Sequence, residues 1–333
     1  MINHHSEQRL RELQSQYDLL SEKIGRYRKQ LAIEAGVAVR FQLEKELEQA
    51  EAEREALAQA MATVASGKWQ ERQGVEIEPP SPALRLIRQA AEQGRLVLWV
   101  GGDAPAGLTG LPSRQELADK LATQQDLPTG RSLAWVAQQV MAGGNRWLFT
   151  DFLLTEMGQP TPPQPLHHQI GQWVRQAAIK TIILTAYDNL LKRAFEMAGV
   201  ACNWVVTDSS LAVLRPERPT LLKLYGDLEF IDSLVISEQD HTALLRGQSR
   251  PAILQQAAQT IRSHTLLFVG HNPTDPTITA LLDGWLNGPF AIPAYAIWTG
   301  LSGREKSSLA TNRHLTIIEA EPFACLKWLN SKA

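Results

Sequence analysis

The chain has only two cysteines, Cys202 and Cys325. They stand far apart with no CxxC spacing, which excludes a disulfide framework and a cysteine-rich structural zinc site. A reducing cytoplasm suits such usage. Long apolar runs are also missing: stretches such as LLFVG from Leu266 are strand length, far short of the roughly 20 residues that cross a bilayer as a helix. No signal peptide opens the chain. Charge of one sign is not in excess. Lys and Arg number 33 against 35 Asp and Glu, and the basic residues are dispersed. Neither nucleic acid nor an anionic membrane is therefore favoured as the main partner. Repeats and low-complexity tracts are absent too. What remains is a soluble chain of 333 residues, long enough for one α/β domain and an appendage.

The appendage is N-terminal. Leu10, Leu13, Tyr17, Leu20, Ile24, Tyr27 and Leu31 alternate by three and four residues, the seam of a coiled coil. AGVAV around Gly36 interrupts the seam, which resumes less cleanly with Leu43, Leu47, Ala50, Arg54, Leu57, Met61 and Val64. Residues 1–68 thus read as an antiparallel helical hairpin, or as one long helix with a defect. An isolated hairpin buries two apolar stripes poorly. Residues 10–64 are accordingly expected to make a homo-oligomer, or to dock a sensor or NTPase partner, rather than lie as a solvated helix on their own domain. A linker over 69–82 follows, where Pro79, Pro80 and Pro82 break regular structure. The α/β domain then occupies 83–333.

Within it, a helix over PALRLIRQAAEQ stops at Gly94 and feeds the run LVLWV. That run, TIIL from Thr181 and TLLFV from Thr265 each end in a turn rich in Gly, Asp, Asn or Thr. Continuous apolar runs of this kind suit strands buried on both faces of a Rossmann-like parallel sheet, whose ligand crevice lies beyond the strand C-termini. Asp103, Asp188 and Asn272 would face that crevice. Gly101, Gly102, Gly107 and Gly110 would let a diphosphate approach the backbone, and the helix opening after Ser113 would aim its amides at the anion. The same glycines also suit a tight strand-to-helix turn with no ligand. Asn189 is expected to cap the helix after Asp188, and Asp275 the helix that starts at Pro276. Asp227 falls in a turn between two strand-like runs, KLY and LVIS. His271 reads as a polar pocket or surface residue, since no second ligand is spaced to join it on a metal. Trp135, Trp147 and Trp173 read as core packing.

The order of these segments resembles the sirtuin-like family of NAD-binding domains. VGGDAPAGLTGLPS is similar to its glycine turn and GLPS-like segment, LTAYDNLLKRAF to its TTNYD-type strand end, KLYGDLE to its KLHG strand, and GHNPTDP to its GYSxxDP-type turn. The closing LTIIEAEPFACLKWL resembles the family's last strand and helix. The resemblance runs from Arg95 to the C-terminus. It implies an NAD crevice without a zinc ribbon, of the type found in bacterial anti-phage systems, commonly as NAD-consuming effectors. NAD or a related nucleotide is then expected at Gly101, Gly102, Asp103, Gly110, Pro112, Ser113, Thr185, Tyr187, Asp227, Gly270, His271, Asn272 and Asp275. Two departures bear on chemistry. Ala186 stands where active relatives carry Asn, and Tyr225 where they carry the catalytic His. A phenol with a pKa of about 10 is a poor base near neutral pH. Asp103, at a phosphate-turn position, would repel a diphosphate unless it turns to a ribose hydroxyl or meets a cation. Two classes stay open: an NAD-cleaving enzyme with an altered set that includes Asp188 and Tyr225, and a catalytically silent nucleotide-binding scaffold.

Overall fold

A computed structural model describes residues 81–103, 110–142, 146–158, 161–176, 179–286 and 292–331, with scattered positions between 17 and 54. The chain divides into two units, 1–78 and 79–333. In the first, the described positions are helical, and Tyr17, Ile24 and Ala50 are buried. The Arg54 guanidinium lies 6.0 Å from the Tyr17 ring centre, a contact between the two apolar series. Leu10, Leu13, Leu31, Leu57, Met61, Val64 and positions 69–80 of the linker lie outside the described residues.

The second unit is built on a seven-stranded sheet whose described pairings are all parallel. β1 (Leu96–Val100) runs at its centre, between β2 (Thr181–Leu184) and β5 (Thr265–Val269). Outward from β2 lie β4 (Thr220–Lys223) and β3 (Asn203–Val205); outward from β5 lie β6 (Ala294–Ile297) and β7 (Leu315–Ile318). Alternation on β1 explains the layering. Val97 and Trp99 enter one core, Leu96, Leu98 and Val100 the other, so every side chain of LVLWV is buried.

The first core is covered by α2 (Arg114–Gln124), α3 (Leu133–Met141), α4 (Arg146–Met157), α7 (Glu238–Leu245), α8 (Pro251–Ile261), α9 (Pro276–Leu286) and α10 (Gly303–Arg313). The second is covered by α1 (Pro82–Glu92), α5 (Pro165–Gln176), α6 (Leu190–Met197) and α11 (Pro322–Asn330). Each helix docks by an apolar stripe. On α1 it is Leu84, Ile87, Ala90 and Ala91, and its two large side chains each contribute about 2 kcal/mol on burial.

The chain leaves β1 toward β2 on one side and arrives at β5 on the other. That reversal marks the place in a doubly wound sheet where ligands bind. Register sharpens it: Val100 pairs with Leu184 and with Val269, and Leu184 with Lys223. Four strands therefore end level, and their turns stand side by side.

Two sequence expectations change here. The run LVIS from Leu234 is not a strand; its Leu234, Val235 and Ile236 are buried as irregular chain leading into α7. Trp147 is 66% exposed on α4, whereas Trp173 is buried.

Candidate functional site

The four level turns are tied together in pairs. Beyond β1, Asp103 receives a two-pronged grip from Arg114, with Nε and Nη2 each donating at 2.6 Å to one carboxylate oxygen. The backbone N–H of Asn272, beyond β5, donates to the same carboxylate at 2.8 Å. Arg114 Nη2 also reaches Asp275 at 3.3 Å. Asp275 meanwhile caps α9, its Oδ1 accepting from Thr277 and Ile278 N–H. The second pair is β2 with β4. Lys223 is wholly buried, pairs with Asp227 at 3.1 Å, and donates from Nζ to the carbonyls of Ala186 and Asp188.

Between the pairs opens a cleft of about 680 Å³, counted out to open solvent. Its rim carries Gly101, Gly102, Pro112, Thr185, Tyr187, Asp188 and Gly270, all expected from the sequence. Val100, Leu111, Leu117, Met157, Leu166, Leu184, Leu191 and Val269 give it an apolar floor. Ala186, Arg114 and His167 complete the polar side and the base of the turn.

The remaining expected residues stand elsewhere. His271, Asn272, Asp103 and Asp275 surround Arg114 rather than the cleft itself. His271 is fully buried, its Nδ1 3.2 Å from Thr185 Oγ1. Ser113 and Gly110 shape the entry to α2. Ser113 makes a capping box with Glu116, and Gly110 takes a left-handed φ of 75° against Thr161 and Gln164. The amides of Ser113, Arg114 and Glu116 thus already have protein acceptors, so α2 offers an anion fewer free donors than expected. Tyr225 is fully buried, its ring centre 4.8 Å from that of His241 in a T-shaped pair and 5.5 Å from the Arg114 guanidinium. Asp227, equally buried, is occupied by Lys223. Asn189 holds the N-cap position of α6 but makes no side-chain cap bond; its amide donates to Glu229, and Asp188 Oδ1 takes the N–H of Leu190.

The two central glycines differ in purpose. A Cβ on Gly101 would fall 2.5 Å from the His271 Cβ and 2.6 Å from the Gly270 carbonyl, so the close approach of the β1 and β5 turns requires glycine. At Gly102 the nearest atom would be Ala186 Cα at 3.5 Å. That space opens on the cleft.

Residues 180–319, the chain from the start of β2 through β7, match the model of the SIR2-like domain family. This stretch is a SIR2-like domain. Among solved structures, one described as showing the structural basis for the mechanism and regulation of Sir2 enzymes is 14% identical, with TM-score 0.41, over 73% of this chain and 95% of its own. Another, a Sir2 homolog–NAD complex, is 12% identical, with TM-score 0.48, over 74% of this chain and 91% of its own. No curated protein matches the chain.

The site sets its charges in low-dielectric surroundings, and each responds. Burial raises the Asp103 carboxyl, but the Arg114 charge and hydrogen bonds overcome it and hold the group well below the usual carboxylate range. Burial lowers His271 to about 4 against the pull of Asp103. His167 is lowered to about 4 by burial, with Asp188 opposing. The Tyr225 phenol is pushed well above its ordinary value, first by burial and then by Asp275. Burial lowers Lys223 despite Asp227 and Asp188. Asp103 therefore meets a cation, one of the two conditions under which a carboxylate is tolerable in a phosphate turn.

Three participants escape a reading of the sequence. Lys223 is the one charge in the strand TLLK, a signal that was available, because an interior strand tolerates a charge only when it is paired. Arg114 follows a capping serine, where it passes for an ordinary surface residue. His167 sits in the pair His167–His168 after a proline-rich turn and carries no motif. Among the described residues no group of three or more His, Cys, Asp or Glu side chains is placed to hold a metal ion. Nor is any helix among them long and apolar enough to cross a membrane.

Proposed function

We propose that the chain is an NAD-like nucleotide-binding module that cleaves its ligand slowly or not at all, in a bacterial defence or signalling system. The observation that carries this reading is the separation of the cleft from Tyr225. Gly102, Thr185, Ala186 and Gly270 line the space beyond the strand ends, while Tyr225 is shut beneath it with a phenol that stays protonated. Binding needs shape, backbone and an apolar floor. Cleaving a nicotinamide–ribose bond also needs a placed water and stabilisation of positive charge developing on the ribose. Absence of a positioned general base typically removes two to four powers of ten in rate.

The SIR2-like match over 180–319 supports the nucleotide class. The resemblance to zinc-free bacterial relatives supports the defence setting. The cleft opens beyond the strand ends, where ligands bind in doubly wound sheets, and Gly102 leaves backbone within reach of a ligand. The test is calorimetric binding of NAD and ADP-ribose to the full chain, with nicotinamide release followed in the same samples. Binding with release near the uncatalysed level is expected. Rapid release that Asp188→Ala abolishes would instead establish an active glycohydrolase, and failure to bind either nucleotide would remove the binding reading.

A further inference from the structure

Resting on the nucleotide reading above, we propose that His167 is a fixed hydrogen-bond donor at the cleft, presenting Nε2–H to an acceptor atom of the bound nucleotide and unable to act as its base. His167 is the third residue of α5, 6% exposed, and it lines the cleft beside Leu166 and Asp188. Its Nδ1 accepts the backbone N–H of Gln164, the residue before α5, at 3.0 Å. The ring thereby does at this helix start what Glu or Gln does in a capping box, reaching back to an otherwise orphaned amide. A ring nitrogen that accepts a hydrogen bond carries no proton, so in the neutral imidazole the proton resides on Nε2. Among the described residues nothing receives that proton.

Protonation at Nδ1 would break the cap bond as it created the charge, so the geometry itself opposes a basic role. Burial acts in the same direction, taking the group to about 4 against the attraction of Asp188 and with the repulsion of His168. A neutral donor with one fixed tautomer selects an acceptor: a carbonyl, a ring nitrogen or a ribose oxygen. It adds no charge to attract a free phosphate.

Imidazole nitrogen NMR of the full chain reads the tautomer directly, and nucleotide addition reads the contact. Nδ1 is expected without a proton in the free protein, with the Nε2–H resonance moving downfield on adding ADP-ribose. His167→Gln, which keeps a donor near the Nε2 position, should bind ADP-ribose within about threefold of the parent, while His167→Phe should lose about tenfold, the worth of one neutral hydrogen bond. A proton on Nδ1, an Nε2–H signal unmoved by bound ADP-ribose, or full affinity in a folded His167→Phe protein overturns the assignment while leaving the nucleotide reading intact. No binding of NAD or ADP-ribose by the parent chain overturns both. The wild-type NMR measurement decides the matter even where His167→Phe does not fold.

Discussion

Arg114 occupies the first position of α2, where the preceding Ser113 caps the helix and the side chain turns back beneath the β1 turn. Its side chain is 13% exposed and that of Asp103 14%. A surface ion pair contributes at most about 1 kcal/mol, whereas removing one partner of a buried pair leaves a stranded charge and costs about 3 kcal/mol or more. Arg114→Ala is therefore expected to lower unfolding free energy by about 3 kcal/mol, measured by urea titration. Arg114→Ala with Asp103→Asn should restore part of the loss. A loss below about 1 kcal/mol in the single variant would show the pair to be solvent-screened. The sequence exposed half of this arrangement. Asp103 is conspicuous in a glycine turn, and its charge demands a partner. The partner could not be named, because one basic residue among 33 becomes special only when a helix cap fixes where its side chain goes.

At the scale of elements, the strands were legible and the irregular pieces were not. β1, β2 and β5 are buried on both faces, so their residues are apolar without alternation and the turns that follow are sharply polar. LVIS carries the same apolar signal, but it fills the first core as irregular chain between a 3₁₀ turn at Ile231–Ser233 and α7. Burial alone does not distinguish the two. Trp147 misleads in the opposite sense, since aromatic size predicts core and gives no direction on a helix. In the cleft, the glycine and Thr185 positions were legible as strand ends, but His167 arrives from α5, which reaches the cleft only through packing on the second core. The N-terminal seam belongs to this scale too. Positions 10–64 are expected to hold copies of the chain together or to attach a partner, since their apolar stripes exceed what a lone hairpin covers. Deleting residues 1–78 should convert an oligomer to a monomer by light scattering. Unchanged mass and unchanged capture of partners would make the arm an appendage.

Across the whole molecule, the pairing of apolar cores with enclosed polar groups predicts how stability follows pH. His167, His241 and His271 are each taken to about 4 by burial, while an unfolded histidine titrates near 6.5. Their folded values are depressed, so between about pH 6.5 and 4 the unfolded chain binds protons that the folded chain refuses. Stability from this source is complete above pH 6.5 and is lost as pH falls toward 4. One proton is worth about 1.4 kcal/mol per pH unit, and three together approach roughly 4 kcal/mol per unit. Asp103 acts in the same direction but later, because its pairing with Arg114 is lost only below the usual carboxylate range. Given a total stability of about 5–15 kcal/mol for a typical domain, the histidines are expected to unfold the protein before Asp103 is protonated. Urea midpoints at pH 7.5, 6 and 5 should fall steeply across the last interval, and His167→Gln, which cannot take up a proton, should flatten that fall by about a third. A midpoint constant from pH 7.5 to 5 would mean that these rings meet water, and with it the fixed neutral character assigned to His167 would fail.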